Sequence, residues 1–285
     1  LASTADVEPS IHVPPDFFAC DDCLRELADP DDRRFGYPFI NCTQCGPRYT
    51  LIRALPYDRP NTSMAGCELC AAGRAPDEDP MDRRFHAEPV ACPACGPDLT
   101  WTVKGSPMTL SGAGARDACI DALRAGRLVA VKGIGGYHLV CDASQDRPVS
   151  RLRRLQPRPH KPLAIMVGRS AGDPLAQLRA CASPSRIETE RLLAPERPIV
   201  LMRKAVDADG LSELIAPGLG EIGVMLPYSP LHELLIRGLG HPIVATSGNS
   251  SGEPVLTDRE PVEERLGHLV DGYLHQDRPI VRPAD

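Results

Sequence analysis

Eight of the eleven cysteines stand in four Cys-x-x-Cys pairs: Cys20/Cys23, Cys42/Cys45, Cys67/Cys70 and Cys92/Cys95, with 18, 21 and 21 residues between successive pairs. Two thiolates three residues apart can grip one zinc ion from a single tight turn, and a second such turn completes a tetrahedron. A disulfide framework is the competing use of so many cysteines, but nothing at the N-terminus indicates secretion. A thioredoxin-type redox role needs one such motif in a βαβ setting, and here there are four in a row. With four cysteines per ion no position stays open for water, so both sites are expected to be structural.

The cysteines sit in a duplication. Residues 29–50 (DPDDRRFGYPFINCTQCGPRYT) and 79–100 (DPMDRRFHAEPVACPACGPDLT) agree at 11 of 22 positions without a gap. Each copy reads Cys-x-x-Cys, then DPxDRRF, then CxxCGP. The simplest pairing is two self-contained sites, Cys20/Cys23/Cys42/Cys45 and Cys67/Cys70/Cys92/Cys95; a nested or crossed pairing of the same eight is the alternative. The leading pairs are offset by 47 residues and the trailing pairs by 50. The extra residues are expected in a loop after Cys70, AAGRAPDE, because loops absorb insertions. Gly46 and Gly96 let the chain curl so that amide N–H groups point at sulfur. Arg33, Arg34, Arg83 and Arg84 are expected to pair with Asp29, Asp32, Asp79 and Asp82. Cys119, Cys141 and Cys181 fit no ligand spacing and read as buried small hydrophobes.

Three later stretches carry other chemistry. KGIGGYHL (132–139) sets three glycines beside Lys132, which suits phosphate or, equally, a tight hairpin; it is neither a Walker loop nor a proper G-x-G-x-x-G. RPHKPLAIMV ends a basic run, 147–161, with six positive charges and no acid; Pro159 and Pro162 bracket Lys161 and hold it extended beside Arg158. ATSGNSSGEP (245–254) ends an apolar run with Thr246, Ser247 and Asn249, and strand ends are where α/β domains bind ligands. Together these describe an anionic small-molecule site, such as one for a nucleotide. His138 shows no acid partner, His232 reads as helical and structural, and no Ser–His–Asp triad is evident.

The elements that must position these groups alternate after Trp101. RDACIDALRAG reads as an amphipathic helix closed by Gly126, RLVAVKG and GYHLVCDA as strands about a glycine turn. A basic helix, the strand PLAIMV and a helix near 172–182 follow. RPIVLMR, EIGVMLP and HPIVATSGN are β-rich, and LHELLIRGLG and DREPVEERLG are helical. The fold class is α+β or α/β: a small duplicated four-cysteine zinc-finger module followed by a layered α/β domain, for which the family resemblance of the motifs quoted below implies a twisted mixed sheet. The expected division is an N-terminal linker, 1–15; tandem fingers, 16–103, with repeats 16–56 and 57–103; a linker, 104–115; and a nucleotide-binding domain, 116–285.

Composition bounds the function. At 285 residues, 42% apolar and 25% charged, the chain is globular and long enough for two domains. Aromatics are 4%, so aliphatic side chains must fill the core. No apolar run approaches the ~18 residues that span a bilayer. LASTADVEPSIHVPP has no Met, basic n-region or apolar h-region, so no signal peptide is expected, and the start suggests a fragment or processing. A net charge of −6 does not favour non-specific nucleic-acid binding.

The finger phrases, CDDCLRELADPDDRRFGYPFINCTQCGPRYTLIRALPYDRPNTSM and DRRFHAEPVACPACGP, resemble the zinc-finger region of the HypF family, carbamoyltransferases of [NiFe]-hydrogenase maturation. VKGIGGYHLVCDA, RPHKPLAIM, APGLGEIGVMLPYSPLH and ATSGNSSGEP resemble that family's YrdC-like domain, so the likeness covers nearly all of 16–285. The resemblance implies that the YrdC-like domain joins carbamate, derived from carbamoyl phosphate in an acylphosphatase domain, to the AMP moiety of ATP. A further domain then passes the carbamoyl group to a cysteine of the partner HypE in the cytoplasm. Lys132, Arg158 and Lys161 match basic positions and are the implied catalytic groups. Ser247 and Asn249 match the Ser-x-Asn phosphate motif, and Tyr137, Arg203 and Thr246 complete the candidate nucleotide-binding set. Zn²⁺, ATP and Mg²⁺ are the implied cofactors. Gln156 stands where such domains commonly carry Lys, and Leu155 where the family often carries Arg. Two other readings stand beside this one: a threonylcarbamoyl-adenylate synthase of tRNA modification, against which the fingers argue, and a zinc module that docks other proteins without catalysis.

Overall fold

The computed structural model describes residues 13–155, 162–170, 173–206, 210–249 and 253–284. The N-terminal part holds two short helices, α1 (Asp21–Ala28) and α2 (Ala71–Glu78), in a framework of turns. Helix α1 buries Cys23, Leu24 and Leu27 along one face and places Asp21 and Asp22 in its first turn, where the helix dipole favours them. Helix α2 carries Pro76 and buries only Gly73.

The rest is one nine-stranded sheet with helices on both faces. Its strands are β1 (Leu99–Val103), β2 (Thr109–Ser111), β3 (Val129–Lys132), β4 (Tyr137–Asp142), β5 (Ile165–Met166), β6 (Val200–Arg203), β7 (Glu221–Met225), β8 (Ile243–Ser247) and β9 (Gly272–Gln276). They lie in the order β2-β1-β9-β3-β4-β8-β5-β7-β6. Pairs β3/β9 and β5/β7 are parallel and the others antiparallel, which makes the sheet mixed, as expected. The helices are α3 (Gly112–Arg124), α4 (Asp146–Leu155), α5 (Ala176–Cys181), α6 (Arg186–Leu192), α7 (Pro230–Leu239) and α8 (Arg259–Leu266).

Strand periodicity sorts the side chains. Val129, Val131, Val140, Ile243 and Ala245 face a core shared with α3, α7 and the fingers. Ala130, Leu139, Cys141 and Val244 face a second core under α4, α5, α6 and α8. Cys119, Cys141 and Cys181 are buried, as read from the sequence. The fingers have apolar packing beside their cysteines: Leu24, Leu27, Tyr37, Phe39, Ile40 and Leu51 join Leu99 and Trp101 in one cluster.

Two stretches differ from the expected division. β1, counted with the fingers, pairs with β9 along its whole length, because Leu99 and Trp101 alternate inward as a strand residue pair. Residues 104–115, expected as a linker, carry β2 and the first turn of α3. The N-terminal segment 1–12 lies outside the described residues.

Candidate metal centres and ligand cavity

Cys20, Cys23, Cys42 and Cys45 converge, with their ligand atoms all within 4.8 Å of one another. Sulfur–sulfur distances are 3.7 Å for Cys20–Cys42, 3.7 Å for Cys42–Cys45 and 3.5 Å for Cys23–Cys45. A tetrahedral zinc with Zn–S near 2.3 Å separates its sulfurs by about 3.8 Å, so this donor set fits zinc. The pairing is sequential at this site, as the simplest reading had it. Arg83 Nη1 donates to Cys23 Sγ at 3.1 Å, a charge-assisted contact that stabilises thiolate.

The second repeat gathers three thiols. Cys70, Cys92 and Cys95 cluster, with 3.6 Å between Cys70 and Cys92 and 3.5 Å between Cys92 and Cys95. Cys67, expected as a fourth ligand, is not in the cluster. The expected loop after Cys70 is also corrected: AAGRAPDE is helix α2, the same length as α1. The N–H of Gly73 reaches sulfur, donating to Cys70 Sγ at 3.2 Å. Those of Gly46 and Gly96 go instead to the carbonyls of Phe17 and Cys92.

The arginines do not pair with the aspartates of their own phrase. Oδ1 of Asp29, Asp32, Asp79 and Asp82 accepts a backbone N–H two residues ahead, which caps each turn. The arginines reach across to the other repeat. Arg34 Nε donates to the Ala91 carbonyl and Arg84 Nε to the Asn41 carbonyl, each just before a ligand cysteine. Arg33 bonds the Ala72 carbonyl, whereas Arg83 and Arg84 form ion pairs with Glu26. Burial pushes the Glu26 carboxyl up, but hydrogen bonds from Arg84 and Arg83 outweigh it and hold it below the usual range. Arg34 is pulled down to about 10 by burial and by Arg84 and Arg33, which outweigh the opposing charges of Glu26 and Asp32.

A cavity of about 1050 Å³ opens where the fingers meet the sheet. Thr246, Ser247 and Asn249 line it from the end of β8, and Asp16, Phe17 and Phe18 close it from the finger side. Arg153 and Arg197 bring positive charge to its wall. Arg197 stacks over Phe18 at 4.2 Å, and Arg153 Nη2 donates to the Ile215 carbonyl. Asn249 Nδ2 donates to the Glu253 carbonyl.

His138, opposite Ser247 in the β4/β8 ladder, also lines this cavity. Its Nδ1 lies 2.9 Å from Tyr228 Oη, which lies 3.2 Å from His232 Nε2; His232 Nδ1 lies 2.7 Å from Ser229 Oγ. Burial pushes His232 down to about 3, with His138 adding to the effect, so it stays neutral inside the protein. The sequence carried the signal for His138: it follows Tyr137 on a strand, and successive strand residues face opposite sides.

The other candidate residues fall elsewhere. Lys132 is buried, and its Nζ donates to the Gln276 carbonyl at 3.1 Å, outside the cavity; burial lowers its pKa. KGIGGYHL is a tight hairpin whose tip, Ile134 and Gly135, does line the cavity: Gly133 N–H donates to the Gly136 carbonyl, and a Cβ on Gly135 would lie 2.2 Å from the Ala284 carbonyl oxygen. Tyr137 is fully buried on the opposite face, 2.6 Å from His275 Nδ1. Arg203 is exposed on edge strand β6 and is not part of the cavity wall. Arg158, Lys161 and Gln156 lie outside the described residues, as does the side chain of Leu155. No helix among the described residues is long and apolar enough to cross a membrane.

Comparison with known proteins bears on both places. The Sua5/YciO/YrdC family model, described as telomere recombination, matches residues 121–285. The HypF finger model matches 19–52 and 67–102. The carbamoyltransferase HypF of Synechocystis sp. is 46% identical over all 285 residues, and that of Rhodobacter capsulatus 43%. These matches cover 100% of this chain but 36% and 37% of those proteins, so it spans about a third of their length. The threonylcarbamoyl-AMP synthase of Stenotrophomonas maltophilia is 32% identical over 171 residues, 55% of this chain and 84% of that protein. Among solved structures, full-length HypF in its phosphate- and nucleotide-bound form is 44% identical with a TM-score of 0.88, covering 96% of this chain and 35% of that one. HypF of T. kodakarensis is 42% identical with a TM-score of 0.90, covering 98% and 35%.

Proposed function

Because the chain belongs to the Sua5/YciO/YrdC family and carries the paired finger of the HypF carbamoyltransferases, we propose that its cavity makes carbamoyl-adenylate from ATP and carbamate. The observation that carries this reading is the cavity itself: roomy, rimmed by Thr246, Ser247 and Asn249 at a strand end, and flanked by Arg153 and Arg197. A full-length HypF of the same fold has been solved with nucleotide and phosphate bound.

In this reading a carbamate oxygen attacks the α-phosphorus in line, the bond from that phosphorus to the bridging oxygen breaks, and pyrophosphate leaves. Ser247, Asn249 and the backbone of their turn hold phosphate oxygens, and the arginines, with Arg158 and Lys161, offset the developing charge. Mg²⁺ would enter mainly on the phosphates; of the wall's two carboxylates, Asp16 is already bonded to Arg48 N–H and Thr50. The fingers act here as a wall of the site, through Asp16, Phe17 and Phe18. Delivery of the carbamoyl group to HypE, in a reducing cytoplasmic compartment that suits thiolate ligands, is part of the same proposal.

The test is exchange of labelled pyrophosphate into ATP by this chain, with ammonium carbamate as the carbamoyl source. Exchange with carbamate and not with threonine plus bicarbonate is expected, as is a loss of about a hundredfold in Ser247→Ala or Asn249→Ala. Exchange that requires threonine would instead make the chain a threonylcarbamoyl-AMP synthase, the activity named for its relative in Stenotrophomonas maltophilia.

A further inference from the structure

The second finger offers zinc three thiolates, and the reason is visible in the backbone. Helices α1 and α2 superpose in register at an offset of 50 residues. Both start from a cysteine cap, Cys20 at φ −68°, ψ 163° and Cys70 at φ −65°, ψ 165°. Both run eight residues and stop on an aspartate, Asp29 at φ −88°, ψ 111° and Asp79 at φ −85°, ψ 110°. The same offset pairs Cys42 with Cys92 and Cys45 with Cys95. It pairs Cys23, the ligand in the first turn of α1, with Gly73, and it pairs Cys67 with Phe17.

Gly73 therefore stands at the corner from which Cys23 reaches the first metal. A Cβ placed on Gly73 would come within 2.9 Å of Cys95 Sγ and 3.6 Å of Cys70 Sγ, so a side chain there points into the thiol cluster. Cys67 stands one turn earlier, in the chain leading to the cap. The neighbouring Arg59 Nη2 donates to its carbonyl at 2.6 Å, and its thiol stays outside the cluster. Of the four cysteines in the pattern, three cluster and one stands beside them.

We propose that the second finger is a three-thiolate zinc site, Cys70/Cys92/Cys95, whose fourth position faces Gly73 and takes water or a small exogenous thiol. A site closed by four cysteines has no such vacancy, whereas three protein ligands leave one position for an incoming donor. The two sites then differ in kind: one closed and braced by Arg83, one open and exchangeable. This inference concerns metal chemistry and is independent of the adenylation reading.

The test follows zinc release from the zinc-loaded chain to a chromogenic chelator, together with the spectrum of the cobalt-substituted protein. Two ions are expected, one leaving roughly tenfold or more faster than the other. Cys70→Ser should abolish the fast phase, and Cys67→Ser should change neither phase. Excess 2-mercaptoethanol should strengthen the sulfur-to-cobalt band of the parent protein. Gly73→Cys, which needs Cys95 Sγ to give way slightly, should slow the fast phase and remove that response to thiol. Loss of the second ion, or a weaker cobalt band, in Cys67→Ser would make Cys67 the fourth ligand and overturn the proposal. So would a parent protein that holds one ion, or that ignores added thiol. If Gly73→Cys fails to fold, the Cys67→Ser and thiol results decide the matter alone.

Discussion

Helices α1 and α2 begin on cysteine with the same cap angles, run the same eight residues, and are followed by the same DPxDRRF phrase. What they carry differs. The first turn of α1 presents Cys23 to the metal, and Glu26 one turn on receives Arg83 and Arg84. The matching positions of α2 are Gly73 and Pro76, which offer neither a thiolate nor a carboxylate. The duplication has kept its backbone and its cross-bracing, since Arg34 and Arg84 still swap between halves, while the chemistry at one corner has diverged. Backbone equivalence is set by caps and turns, and those can persist when a ligand does not.

The comparison can be broken or sharpened by experiment. The largest effect is expected from Cys23→Gly, which gives the first finger the corner of the second. The first ion should then be released as fast as the second, and the melting temperature should fall by about 10 °C, because this metal sits in the shared core. A first site that kept its slow release would remove the physical basis of the asymmetry.

Next come the two buried arginines of the repeated phrase, Arg34 and Arg84. Arg84→Met should cost about 2 kcal/mol in denaturant unfolding, because it removes one of the two ion pairs to the partly buried Glu26, leaving Arg83, and frees the Asn41 carbonyl. Arg34→Met should cost about 1 kcal/mol, since among the described residues its Nη2 has no hydrogen-bond partner and no acid depends on it. Equal losses would mean that the halves are braced alike.

The sheet provides a control outside the fingers. His232 is neutral in the folded protein, held near 3 by burial beside His138, Tyr228 and Ser229, whereas unfolded histidine titrates near 6.5. Below that higher value the unfolded chain takes up a proton that the folded chain refuses, so stability falls as pH drops. The loss should be about 2 kcal/mol between pH 7 and pH 5. His232→Gln should flatten that part of the stability–pH curve, and the parent–variant difference cancels whatever the thiolates contribute. A parallel pair of curves would refute the assignment.

The smallest effect is expected from Arg83→Ala. It removes the N–H donated to Cys23 and should speed release of the first ion a few-fold without touching the second. Arg33→Ala, whose arginine bonds a carbonyl, should leave both rates alone.

Much of this was legible beforehand. The Cys-x-x-Cys pairs marked the fingers, alternating apolar runs marked an α/β layer, and Thr246, Ser247 and Asn249 do reach the cavity. Gly73 was legible too, but through a different reading. Extending the gapless repeat back to Cys20 and Cys70 sets Gly73 opposite Cys23, whereas matching Cys-x-x-Cys to Cys-x-x-Cys slides the second half by three residues. Motif spacing outweighed register, and register was the better guide because helix caps fix it.

By itself, the sequence determined the metal-binding chemistry, the duplication and the alternation of the elements, because these are local properties of residue type and spacing. Only the tertiary structure decided which groups meet. It sent the arginines across to the other repeat, since the aspartates beside them were already bonded to backbone N–H groups. It turned Lys132 to the Gln276 carbonyl and away from the cavity, and placed His138 there instead. It also gathered Cys70, Cys92 and Cys95 and left Cys67 outside their cluster. The direction in which a side chain points is fixed by strand pleat, helix register and packing, which join residues far apart in the chain and leave little trace in any one motif.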